Sequence, residues 1–195
     1  MKHRAGLLLL LFGAALIGSA LLLFWNNRDE SASAGKASAR ILTQVEAEIV
    51  AREDILPQEF CPAETMPQRE IDGNTYIGIL SVPALELTLP VMSDWSYPQL
   101  KVAPCRFTGS VGEGNLVIMA HNYDAHFGRL GQLQPGDVIE FRDMVGRTYQ
   151  YTVVLTEILQ PTAVEEMESG GYDLTLFTCT YGGENRITVR CSRLS

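Results

Sequence analysis

The chain has 195 residues, room for one domain of ordinary size plus an appendage. Its net charge of -8 argues against a nucleic-acid partner, because phosphate binding needs a basic face. Four cysteines, Cys61, Cys105, Cys179 and Cys191, fall at irregular spacing without a CxxC pair. Neither a dense disulfide framework nor a metal site is therefore expected, and no cofactor.

Met1-Lys2-His3-Arg4 is short and basic, and no charged residue follows from Ala5 to Trp25. As a helix, about 21 apolar residues span roughly 31 Å, the thickness of a bilayer's hydrocarbon core. Lys2 and Arg4 place the N-terminus on the cytoplasmic side and the bulk of the chain outside. A cleaved signal peptide would carry a shorter apolar core, about 7–15 residues, although Ser31-Ala32-Ser33-Ala34 offers small residues for cleavage. An uncleaved, single-pass anchor over residues 5–25 in the cell membrane is the reading adopted, so the organisation is a 1–25 anchor, a 26–70 extracellular stem and a 71–195 domain.

Asn26 to Ala39 is rich in Ser, Ala and Gly and reads as a flexible stem. Ile41, Val45 and Ile49 recur at every fourth position, which predicts a packing helix over about Arg40 to Arg52. Pro57, Pro62 and Pro67 then interrupt regular structure.

From Tyr76 the texture changes to short β-prone runs. Tyr76 to Val82 predicts a strand, and Leu85 to Met92 an edge or irregular strand because it contains Pro90. Ser96 to Val102 reads as one helical turn. Asn115 to Ala120 is a buried strand that runs straight into His121. A short helix or turn over Phe127–Leu133 is closed by Pro135-Gly136. Strands over Asp137–Arg142 and Thr148–Leu159 are joined at Met144-Val145-Gly146, and a short helix is expected over Pro161–Ser169. The last two strands end at Cys179 and begin at Arg186, with a Gly-containing loop between them. Many short strands with few helices predict a mostly β barrel or sandwich.

Chemistry concentrates in the last third of the chain. A cysteine at a strand end is a nucleophile only with a partner that handles its proton. His3 lies on the far side of the anchor, which leaves His121 and His126; His121 ends a buried strand as Cys179 does, while His126 reads as an exposed loop residue. By alternation Thr175, Phe177 and Cys179 share one face of their strand, and Arg186, Thr188 and Arg190 one face of the next. If the aliphatic residues face the core, Cys179 and Arg186 line a surface groove where a peptide can lie. Cys179 would attack a carbonyl to form a thioester, and His121 would protonate the leaving amine. Arg186 would hold the oxyanion or the substrate backbone, and removing such a donor typically costs about 3 kcal/mol. Arg190 and Arg193 compete for this role, but only Arg186 lies beside the loop. Asn122, Thr178 and Tyr181 are candidate substrate contacts. Cys105 and Cys191 are read as free thiols, with a disulfide as the alternative.

These residues resemble the sortases, membrane-anchored cysteine transpeptidases of Gram-positive bacteria. Thr175-Leu176-Phe177-Thr178-Cys179 matches their TLxTC signature, Ala120-His121-Asn122 their histidine segment and Arg186 their arginine; the likeness covers about residues 71–195. His121-Asn122-Tyr123 followed by Phe127 is similar to the class B pattern, although the segment between the Thr148–Leu159 and Asp173–Cys179 strands is shorter than the helical insertion of many class B members. The resemblance implies an eight-stranded β-barrel and a two-step transpeptidation. A C-terminal sorting motif of the LPxTG type on a surface protein or pilin is cleaved. The acyl group then passes to an amine of a peptidoglycan precursor or a pilin lysine. Two rival readings are an extracytoplasmic cysteine peptidase with water as acceptor and a non-catalytic surface β-module.

Overall fold

The computed structural model describes residues 2–53, 66–168 and 170–194. It divides into two compact units, Met1–Ser33 and Ala34–Ser195. Pro57, Cys61 and Pro62 lie outside the described residues.

The first unit belongs to helix α1 (Lys2–Glu53). Its apolar stretch is long and apolar enough to cross a membrane, and Leu9 to Phe12, Leu16, Ile17 and Leu21 to Trp25 are all exposed in the protein itself. Side chains that find no protein partner along such a stretch are made for lipid. This is the single-pass anchor, with the β-rich unit on the extracellular side.

The flexible stem expected over Asn26–Ala39 is instead helical. Helix is already present on both sides, so the costly nucleation step is made once and Ser and Ala need only propagate it. The buried stripe also starts earlier than the aliphatic periodicity shows, running Ala34, Ser38, Ile41, Val45, Ile49. Small residues here serve close packing: a Cβ on Gly35 would stand 2.9 Å from the Ala125 Cβ.

Among the described residues of the second unit nine strands follow: β1 (Arg69–Ile71), β2 (Asn74–Val82), β3 (Leu87–Met92), β4 (Cys105–Thr108), β5 (Leu116–Met119), β6 (Val138–Asp143), β7 (Thr148–Leu159), β8 (Leu174–Cys179) and β9 (Arg186–Arg193). Their order is β1-β2-β3-β4-β5-β8-β9-β7-β6, and β6 pairs back onto β2. That last pairing closes eight strands, β2 to β9, into a barrel, and leaves β1 as a short flap on β2. Closure removes free sheet edges. Two short helices, α2 (Tyr97–Leu100) and α3 (Val164–Glu168), lie between strands.

Pro90 sits where its missing N–H does least harm. β3 pairs along its length with β2 but meets β4 at one pair, Met92 with Cys105. At Gly78 the β2–β3 register shifts, and a Cβ there would stand 2.2 Å from the Arg142 carbonyl oxygen, so the bulge requires glycine. The expected turn after β6 is built on a buried carboxylate. Asp143 accepts from the backbone N–H groups of Val145 and Arg147 and pairs with the Arg147 Nε at 2.7 Å.

The barrel interior is filled by inward residues of every strand from β2 to β9 except β4, among them Leu80, Leu116, Ile118, Phe141, Tyr151, Leu174, Leu176 and Val189. A second cluster, with Ile41, Val45, Ile49, Tyr76, Met92 and Cys105, seals α1 against the barrel's outside. Cys105 and Cys191 are buried free thiols in these two separate clusters. Burial pushes both up to about 12, which leaves them inert as nucleophiles.

Candidate active site

Strand pairing sets the three distant candidate residues on neighbouring strand ends. β5 and β8 are parallel with Met119 opposite Phe177, so His121 and Cys179, each two residues further on, leave adjacent strands side by side. β8 and β9 are antiparallel, and Cys179 is the direct partner of Arg186. Directly opposed residues on such strands have Cα atoms about 5 Å apart.

The strand ends are pinned just short of the site. Ala120 N–H donates to Phe177 O at 3.2 Å, and the Thr178 hydroxyl donates to Ala120 O at 2.9 Å. Thr178 is buried with that hydroxyl committed, and it keeps β5 and β8 in step. Thr178→Val should therefore cost about 1–2 kcal/mol of stability, read as a lowered urea midpoint. Asn122 reaches towards Thr180 O at 3.5 Å, and Tyr181, 89% exposed, stands at the loop tip.

The loop from Thr180 to Asn185 is closed by Thr180 N–H to Asn185 O at 2.9 Å and Asn185 N–H to the Thr180 hydroxyl at 3.0 Å. Arg186 donates through Nη1 to the carbonyls of Gly183 and Asn185, both at 3.1 Å. The guanidinium is thus tethered to the loop that separates it from Cys179 along the chain.

His121 opens a tight loop. Phe127 N–H returns to the His121 carbonyl at 3.1 Å, and Gly128 N–H donates to Tyr123 O at 2.9 Å. Only glycine fits at 128, since a Cβ would stand 2.7 Å from Asn122 O. The Tyr123 ring contacts two imidazoles, with centroids 4.8 Å from His121 and 5.7 Å from His126.

His126 corrects the expectation of an exposed loop residue: it is fully buried. Neither of its ring nitrogens has a hydrogen-bond partner among the described residues. Burial first and the neighbouring His121 second hold it down to about 4; the Val102 backbone, not in hydrogen-bonding geometry, works weakly the other way. Phe127, anchored in the barrel core, carries its neighbour inward.

Alternation correctly divides the two faces. Leu174, Leu176, Val189 and Cys191 fill the interior, while Phe177 packs outside with Val117 and Met167. The expected surface groove, however, is open only at its Cys179 end. Further along, Thr175, Thr188 and Arg190 are buried, because Met167 of α3 packs over this face and accepts from the Thr188 hydroxyl. Arg190 is engaged there, with its Nε 2.8 Å from Glu157.

On the other side an open cleft of about 450 Å³ is lined by Ser93, Asp94, Trp95, Arg106, Phe107, Thr108 and Gly109. Ring contacts run from Trp95 to Phe107 (6.2 Å) and from Phe107 to Phe177 (5.4 Å), two residues before Cys179. Trp95 and Tyr97 are legible in the sequence only as two large aromatics beside a proline in a short polar connection.

A family model, the sortase domain, matches residues 80–194, more than half of the chain. The chain belongs to the sortase family. Solved structures agree. Sortase C1 from Streptococcus suis is 28% identical over 62% of this chain and 73% of that one, with a TM-score of 0.54. The pilus-related sortase C of Group B Streptococcus is 25% identical over 83% and 93%, with a TM-score of 0.56. Sortase C-3 from Streptococcus pneumoniae, 22% identical over 87% and 91% with a TM-score of 0.57, shares the fold. No curated protein matches the chain. Family membership makes this a sortase-type enzyme with a cysteine-transpeptidase mechanism in general terms. The class B likeness of His121-Asn122-Tyr123 finds no support in the names of these three sortases.

Proposed function

We propose that this sortase cleaves a C-terminal sorting motif of the LPxTG type on a surface protein or pilin and passes the acyl group to an amine. Cys179 is the nucleophile. Its thiolate adds to the scissile carbonyl, and the tetrahedral oxyanion collapses to a thioester as His121 gives a proton to the leaving amine. The incoming amine loses a proton to His121, adds to the thioester and expels the thiolate. Arg186 holds the oxyanion or the peptide backbone by charge-assisted hydrogen bonds. Asn122 and Tyr181 border the entry.

The observation that carries this reading is the register of β5, β8 and β9, which sets His121, Cys179 and Arg186 at one end of three adjacent strands. The anchor supports a substrate held at the same membrane surface, and the Group B Streptococcus relative, named as pilus-related, supports a surface protein or pilin as donor. The acceptor is then a peptidoglycan-precursor amine or a pilin lysine. The test uses the full chain in vesicles, a peptide ending in an LPxTG-type motif, and increasing glycine oligomer. Release of the C-terminal fragment with ligated product rising in proportion to the amine is expected. Cleavage with the amine ignored would make the protein a hydrolase, and no cleavage across a panel of motifs would remove the reading.

A further inference from the structure

Arg190 is a buried cation, 2% exposed, that the chemistry above does not use. Its Nε donates to Glu157 Oε1 at 2.8 Å. Nη1 donates to Met167 O at 2.9 Å and to the Thr175 hydroxyl at 3.1 Å, and Nη2 donates to Glu166 O at 2.6 Å. The Tyr172 ring lies 5.5 Å from the guanidinium carbon. A buried guanidinium is tolerated only when its fork of donors is satisfied, and its usual return is a fixed arrangement more than added stability.

What is fixed here is α3. A helix of five residues is far too short to hold itself in water, and α3 buries a single side chain, Met167. Glu166 and Met167 are among the closing carbonyls that a helix end leaves without intrahelical partners, and Arg190 takes both. Met167 in turn packs on Phe177, two residues before Cys179 on the same face of β8.

We infer that Arg190 is a positioning residue for the substrate groove: it staples α3 onto the outer face of β8 and β9 and so sets the wall beside Cys179 against which the peptide lies. This rests on the reading of the groove as a sorting-peptide site. Arg190 touches neither the reacting atoms nor the substrate and acts through α3.

The test compares the full-length chain with Arg190→Met, which keeps the length of the side chain but removes its donors, and with Arg190→Lys. Two readouts are taken: steady-state kinetics with sorting peptide and amine, and hydrogen exchange of the α3 amides without substrate. Arg190→Met should raise KM tenfold or more with kcat within threefold, and speed α3 exchange at least a hundredfold while β2 and β6 exchange as before. Arg190→Lys should fall between. Unchanged α3 exchange overturns the staple, and faster exchange with unchanged KM overturns its role in the groove. If Arg190→Met fails to fold, the double variant Glu157→Gln, Thr175→Val weakens the same network and is held to the same two outcomes. If the wild-type chain cleaves no sorting peptide, the functional reading has failed, and α3 exchange still decides whether Arg190 holds the helix.

Discussion

Cys179→Ala is expected to abolish release of the C-terminal fragment from a sorting-motif peptide, a loss of at least about 10⁴-fold, because residues that act as one catalytic unit are not replaced by their neighbours. The fold should be untouched. Cys179 is only half-buried at the end of β8, and its backbone pairing with Arg186 does not depend on the sulfur. The assay is chromatographic separation of the released fragment, with a urea curve as control for folding. A matching chemical test follows from burial. Cys105 and Cys191 are sealed in apolar clusters with thiols held up at about 12, so among the described cysteines an alkylating agent at neutral pH should modify Cys179, and activity should disappear in step with that modification. Cleavage that continues undiminished in Cys179→Ala would end the proposal that this thiol is the nucleophile.

That a cysteine, a histidine and an arginine from separate segments stand at strand ends was legible because local pattern is strongest there, and the register sets those ends on neighbouring strands. Leu174-Thr175-Leu176-Phe177 alternates cleanly, and the structure divides its faces as alternation requires. Alternation separates the two faces of a strand but does not say what covers each. Thr175, Thr188 and Arg190 share the outward faces of Cys179 and Arg186, and α3 closes over them. The same limit applies to Thr178: a hydroxyl on a strand end looks free until its acceptor, the Ala120 carbonyl just past the end of β5, is known. Asn26–Ala39 misled for a different reason. Ser, Ala and Gly lower side-chain bulk equally in a flexible linker and in a tightly packed helix, and only the tertiary partner at Ala125 separates the two. β1 and β4, of three and four residues, are too short to show a period at all.

The fully buried His126 carries the second large expectation, a loss of stability in mild acid. Its ring is held neutral down to about 4, against an ordinary value of 6.5. The fold therefore binds fewer protons than the unfolded chain between these two values. Above 6.5 both states are neutral and nothing is lost; as pH falls the unfolded state takes up a proton that the folded state refuses, so stability falls, and the penalty is complete below about 4. Between pH 7 and pH 5, above most carboxylate titration, the contribution is on the order of 2 kcal/mol. His126→Phe fills the same buried place without a titrating nitrogen. Urea unfolding at pH 7 and pH 5 should show the wild-type chain losing about 2 kcal/mol more than this variant. Equal losses in the two proteins would mean that the ring is protonated in the fold, with an acceptor for its N–H. Because His126 and His121 contact the same Tyr123 ring and His121 acts electrostatically on His126, an imidazolium at 126 would also place a positive charge near the proposed acid–base group. Keeping 126 neutral at working pH spares His121 that repulsion, which ties the acid sensitivity of the fold to the same loop that carries the proposed acid–base histidine.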